Sequence, residues 1–188
     1  MRTTKLLAAA GTLGLALSAT PALAVNGHYV GGIEGTKGPS LPPEGLYYRG
    51  YLVQYEIDSI QDDDSNDVPL DNEGSVTAFA NRFIYVTDKK FLGADYGMET
   101  IIIAQRNDFD FEALGADQTE SGISTVFLGP VILGWHGKQW DSVFAAGYWF
   151  DTGDFEAGNP ASDGKGFDTT MLTLGGTWYF DEARDWSF

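Results

Sequence analysis

The sequence predicts an all-β fold, an antiparallel transmembrane β-barrel of the outer-membrane type, incomplete, with about six to eight strands in this chain. Three observations lead there. The chain opens on an export signal. It then breaks into strand-length segments separated by polar turns. Along those segments apolar residues alternate with polar or small ones, and aromatics gather at the ends. Composition narrows the choice. There are 12 Phe, 9 Tyr, 5 Trp and 24 Gly but no Cys, and 27 Asp+Glu stand against 11 Lys+Arg for a net charge of −16. A hydrophobic fraction of 43% is too high for a disordered chain. The negative charge repels phosphate and excludes an electrostatic nucleic-acid binder. Without Cys there is no disulfide framework, thiol chemistry or thiolate metal site.

Residues 1–24 read as a signal peptide. Arg2 and Lys5 form the basic start, residues 6–17 (LLAAAGTLGLAL) the apolar stretch, and Ala22-Leu23-Ala24 the cleavage site. The apolar stretch is shorter than the ~20 residues of a spanning helix. A lipoprotein is excluded, since no Cys follows. Residues 25–188 are then one outer-membrane β-barrel domain, truncated at its C-terminus. Export places it outside the cytoplasm, and the barrel reading places it in the outer membrane of a Gram-negative bacterium.

The strand segments, in order, are 46–58, 75–87, 93–106, 122–136, 139–152 and 167–180, with 185–188 beginning a seventh. A tilted transmembrane strand needs ~9–11 residues plus its rims, which suits them. The longest apolar run, residues 101–104, excludes a helical inner-membrane protein. In the first segment Tyr47, Arg49, Tyr51, Val53, Tyr55 and Ile57 share one parity, five of the six apolar or aromatic, and that side is expected to face lipid. Gln54 and Glu56 fall on the other. In the fifth, Trp140, Phe144, Tyr148 and Phe150 oppose Asp141, Gly147 and Asp151. In the sixth, Leu172, Leu174, Trp178 and Phe180 oppose Thr169, Thr173, Gly175 and Thr177. The second segment sets Phe79, Phe83 and Tyr85 on one parity with Asn81, and Ile101–Ile103 is apolar on both faces. The expected lumen lining is Gln54, Glu56, Asn81, Thr173 and Thr177. Two breaks, 61–74 and 151–167, are long and acidic, whereas 87–90 and 137–138 are tight; long outer loops facing short inner turns are the outer-membrane asymmetry.

Four pieces of sequence carry a family resemblance. They are Leu41-Pro-Pro-Glu-Gly-Leu-Tyr-Tyr-Arg-Gly-Tyr51, Val86-Thr-Asp-Lys-Lys-Phe-Leu-Gly-Ala-Asp-Tyr-Gly97, Leu128-Gly-Pro-Val-Ile-Leu-Gly-Trp-His136 and Thr152-Gly153-Asp154. Together they resemble the meta-pathway of phenol degradation family of outer-membrane, transporter-like proteins. Asp151 stands where that family usually has Pro, and the family usually continues for several strands beyond a segment like 167–180. The resemblance implies a barrel that moves hydrophobic or aromatic compounds, beside a catabolic pathway rather than as its catalyst.

Candidate chemistry elsewhere is thin. Asp151-Thr152-Gly153 is the aspartic-protease tripeptide, but that chemistry needs two carboxylates sharing a proton, and Asp154 adds a further charge; a turn accounts for it better. Asp62, Asp64, Asn66 and Glu73 occupy positions 1, 3, 5 and 12 of a calcium loop. Asp67 replaces its turn glycine, Pro69 interrupts it, and the flanks read as strands, so a solvated acidic loop is the better description. His28 and His136 have no ligand spacing, and Ser121, Ser124 and Ser142 no nucleophile elbow. No catalysis and no cofactor is expected. The sequence reads as a passive channel for small hydrophobic or aromatic solutes. Its further partners are outer-membrane lipid and lipopolysaccharide, the outer-membrane assembly machinery, and no nucleic acid. The alternatives are a secreted or periplasmic β-sandwich binding protein and, behind it, an exported enzyme.

Overall fold

The computed structural model describes residues 27–29 and 34–188, so the signal peptide expected over 1–24 lies outside the described residues. Six strands, β1 (Gly45–Ile57), β2 (Asn72–Phe91), β3 (Ala94–Phe111), β4 (Ala116–His136), β5 (Trp140–Asp151) and β6 (Thr169–Trp178), follow the six expected segments. They form one sheet in chain order, every neighbouring pair antiparallel. Among the described residues the only helical pieces are 3-10 turns at Gly35–Lys37 and Glu112–Leu114, and no helix is long and apolar enough to cross a membrane.

The sheet does not close into a barrel: β1 and β6 are its two edges and do not pair. The reason is arithmetic, since about eight strands are needed to close around an interior just wide enough for side chains. Nor does the expected seventh segment form a strand of its own. Trp178 and Phe188 exchange two N–H···O bonds of 2.9 Å and Tyr179 bridges Ser187, so the tail folds back onto the end of β6.

Connections differ at the two ends. The β2–β3 and β4–β5 links are tight, whereas residues 58–71, 112–115 and 152–168 gather at the other end. The tight break expected at 87–90 lies inside β2. Asp88, Lys89 and Lys90 are exposed, but Lys90 still pairs with Asp95 across the hairpin, its Nζ 2.6 Å from the carboxylate. The turn itself is Leu92-Gly93, with φ of 52° and 78°. Two consecutive positive φ angles make a type I′ turn, whose twist matches the strands it joins. Four register shifts interrupt the ladders. One sits at Gly129-Pro130 in β4, where proline has no N–H to give the sheet.

Alternation leaves one face of the sheet covered and the other open. Beneath the covering segments lie two apolar clusters. Leu41, Ile84, Val86, Ile132, Val143 and Ala145 meet near the tight turns. Val76, Phe109, Phe111, Ala116 and Ala161 meet near the long loops. Between them Phe127 is almost wholly buried and stacks obliquely on Trp149, with ring centroids 4.6 Å apart. It has room because Gly147 on β5 lacks a side chain: a Cβ there would come 2.2 Å from the Phe127 ring and 2.8 Å from the Leu128 carbonyl.

In β5 and β6 the structure divides the residues as the alternation predicts: Trp140, Tyr148, Phe150, Leu172, Leu174 and Trp178 are exposed, while Asp141, Trp149 and Thr177 are buried. Phe79, Phe83 and Tyr85 share the open face, and Ile102 of the isoleucine run joins them. In β1 the expected parity is reversed. Leu46, Tyr48 and Leu52 take the open face, and the half-buried Tyr47 and Tyr51 the covered one. The tyrosine hydroxyls explain it. Tyr47 donates to the Pro43 carbonyl at 2.9 Å and Tyr51 to the Glu34 carboxylate, so both rings serve the covering segment.

Two variants test these packing and turn arguments. Gly147→Val should destabilise the fold by about 1–3 kcal/mol through overpacking against Phe127, read as a lower denaturant midpoint; an unchanged midpoint would rule out the close approach. Leu92→Asn should stabilise by about 1 kcal/mol, because asparagine tolerates the left-handed backbone better than leucine. A lower midpoint would contradict the turn assignment.

Candidate functional site

What distinguishes the covered face is a strap of chain that precedes β1. Residues 34–44, with 27–29 before them, touch the sheet from the long-loop end to the tight-turn end. At the long-loop end His28 lies parallel to Trp149 with centroids 6.1 Å apart, meets the edge of Phe167, and sets its Nδ1 2.7 Å from the Thr169 hydroxyl. In the middle Glu34, just before the turn Gly35–Lys37, ion-pairs with Arg49 of β1 and with Arg82 of β2 at 2.5 Å, and accepts from Tyr51. Arg82 in turn holds Glu99 of β3 at 2.6 Å. At the tight-turn end Ser40 donates to Asp141 at 2.6 Å and lies 2.8 Å from the Tyr179 hydroxyl.

Bare glycines let the strap approach. A Cβ on Gly134 would come 2.7 Å from the Leu41 Cβ, and one on Gly175 would come 2.9 Å from the Pro39 ring. Glycine inside a strand often marks such a close backbone approach.

The Asp141 side chain is 1% exposed and fully engaged. Its Oδ2 accepts from Ser40, Tyr179 at 2.8 Å and Arg184 at 3.2 Å, and its Oδ1 lies 2.8 Å from His136 Nδ1. Arg184 also covers the face of the Tyr179 ring, 4.7 Å from its centroid. Around this group opens a cavity of about 740 Å³ lined by Lys37, Pro42, Lys90, Asp95, His136 and Arg184 among others.

Burial pushes the His28 imidazole below its ordinary 6.5 and Lys165 adds to the effect, against Asp151 and Asp168. For Glu34, burial alone raises the carboxyl. The Tyr51 hydroxyl and the Arg82 and Arg49 guanidiniums outweigh it, so the group sits below its ordinary 4.5.

The residues expected to line a lumen divide between the faces. Thr173 and the buried Thr177 lie on the covered face beside the strap. Gln54 and Glu56 share the parity of Leu46 and Leu52 and lie exposed on the open side. Asn81 is there too, its amide oxygen accepting from Tyr48 at 2.9 Å. Gly50 leaves the space that the Tyr48 hydroxyl occupies. The four calcium-loop residues do not converge. Asp62 spends its carboxylate on the Asp64 and Asn66 backbone N–H groups at 3.0 and 2.9 Å, while Glu73 sits exposed in β2. No group of three or more His, Asp or Glu side chains suited to a metal occurs among the described residues. Asp151 accepts from the Lys165 and Gly166 backbone N–H groups, so the Asp-Thr-Gly tripeptide ties down the 152–168 loop.

Sequence reasoning passed over Glu34, Arg82, Glu99 and Tyr179, and gave Asp141 an inward parity but no role. One signal was present: Arg82 interrupts an aromatic strand, and a charge inside a segment read as lipid-bathed must find a partner.

Acid should loosen the strap in two stages. At both His28 and Glu34 the folded chain binds fewer protons than the unfolded chain, so stability rises with pH across each window. The contribution of His28 fades as pH falls below 6.5, and that of Glu34 as pH falls below 4.5. Thermal midpoints from neutral to acid pH check this. Glu34→Gln should flatten the lower stage and His28→Asn the upper; wild-type slopes in both variants would refute it.

A family model described as putative MetA-pathway of phenol degradation matches residues 57–188, well over half of the chain. Its range takes in the second, third and fourth resembling pieces and starts beyond the first. No curated protein and no solved structure matches this chain.

Proposed function

The chain belongs to the family described as putative MetA-pathway of phenol degradation, and from that premise we propose that it is an outer-membrane channel of a Gram-negative bacterium for uptake of small hydrophobic or aromatic molecules, with no catalysis of its own. The observation that carries this reading is the open face. Leu46 and Leu52 are each 72% exposed, Leu172 71% and Leu174 85%, with Phe79, Phe83, Tyr85, Leu128, Tyr148, Phe150 and Trp178 also exposed between them. Soluble proteins rarely show water an apolar patch larger than a few hundred Å². Hydrocarbon suits such a face. β2, β3 and β4 run 20, 18 and 21 residues, enough to cross the hydrocarbon and project beyond it. Only one part of each long strand then needs lipid around it, which fits acids such as Asp108, Asp110 and Glu120 in their outer reaches.

On this reading the free edges of β1 and β6 are paired in the membrane, with each other or with further strands, since unpaired backbone groups in lipid cost several kcal/mol each. The export signal and the assembly machinery bring the chain to the outer membrane. Lipid and lipopolysaccharide surround it there.

Fractionation and uptake test the proposal. The protein should come out of envelopes only with detergent and migrate differently on gels before and after heating. Recovery as a soluble species in the osmotic-shock fraction would point instead to the β-sandwich binding protein. A deletion strain should take up labelled aromatic solutes more slowly than its parent; equal uptake across a panel of such solutes would remove the transport claim.

A further inference from the structure

We propose that the strap is a removable plug: residues 34–41 close the pathway along the covered face, and the pathway opens when they lift away. This rests on the channel reading and concerns its regulation.

Burying a charge and then removing its partner costs about 3–5 kcal/mol, so a segment that is sole partner to buried charges cannot leave easily. Here each buried charge under the strap has a second partner on the sheet or tail. Arg82 loses Glu34 but keeps Glu99 at 2.6 Å. Asp141 loses Ser40 but keeps His136, Tyr179 and Arg184. Glu34 itself moves into water, where a carboxylate is well solvated, and Arg49 is already half exposed. The strap is thus satisfied when seated, and the buried charges of the sheet keep partners without it; what holds it down is chiefly Leu41, whose departure would uncover the cluster of Ile84, Val86, Ile132, Val143 and Ala145. Two such arrangements of one element are what a switch requires.

Position agrees. Between Glu34 and Leu41 the strap contacts β1 and β2 through Glu34, β4 through Leu41, β5 through Ser40 and β6 through Pro39. A segment lying across that many walls of one face leaves little passage beside it. When released it stays tethered through residues 42–44 to β1.

The absence of Cys gives a clean test, because an introduced pair has no competitor. A Cβ on Gly175 would lie 3.4 Å from the Pro39 Cβ, close to the ~3.8 Å of a disulfide. The full chain would be reconstituted in planar bilayers and single-channel currents recorded. Wild type should be closed most of the time. Glu34→Gln should raise open probability about tenfold, the effect of losing ~1.4 kcal/mol of strap attachment. The Pro39→Cys/Gly175→Cys pair should be silent when oxidised and regain wild-type openings on reduction. Equal currents from the oxidised and reduced pair, or from wild type and Glu34→Gln, would overturn the plug and leave the channel standing. No current from any form, reduced pair included, would overturn the channel and the plug with it.

Discussion

A guanidinium taken out of water must be paired, and the placing of Arg82 decides much of this structure. It stands in the middle of β2, between Asn81 and Phe83, with Arg49 opposite it on β1 and Ile101 on β3. Its head is covered, so it requires carboxylates within reach. Glu99 on the next strand provides one and Glu34 on the strap the other. The first ties two strands together. The second fixes where the N-terminal segment crosses the sheet, and the positions of Ser40, Leu41 and His28 follow from that crossing.

Once the strap is seated, the rest of the covered face accommodates it. Gly134 and Gly175 give up side chains where Leu41 and Pro39 come close. Tyr47 and Tyr51 turn their rings inward because their hydroxyls have acceptors there. Asp141, Tyr179 and Arg184 form a polar floor beneath Ser40. The opposite face has no such cover and carries leucine, phenylalanine and tryptophan side chains into the surroundings. The sheltered side thus holds two apolar clusters together with the buried polar groups around Arg82 and Asp141, while large apolar side chains stand out on the other.

Legibility in the sequence differed element by element. β5 and β6 were readable because large apolar residues alternate there with Thr, Gly and Asp, leaving one assignment of faces. β1 was misread because tyrosine counts as apolar in a parity tally yet carries a hydroxyl that can serve a polar site. The turn after β2 was placed too early because Thr87-Asp88-Lys89-Lys90 has loop composition, while the backbone demand for positive φ falls at Leu92-Gly93. The strap was not legible at all. Glu34 meets Arg49 and Arg82 from 15 and 48 residues away in sequence. Asp141 meets Ser40 and Tyr179 from 101 and 38 away.

By itself, then, the amino-acid sequence determined the all-β class, six strand segments in order, the tight and long connections at alternate ends, and the family. Those properties depend on local periodicity and turn chemistry, which act over a few residues. Only the tertiary structure decided that the sheet stays open among the described residues, which face of β1 is sheltered, and that a segment ahead of the first strand lies across the covered face. Such features depend on ion pairs and close approaches between distant parts of the chain, and no local pattern encodes which distant carboxylate a buried arginine will find.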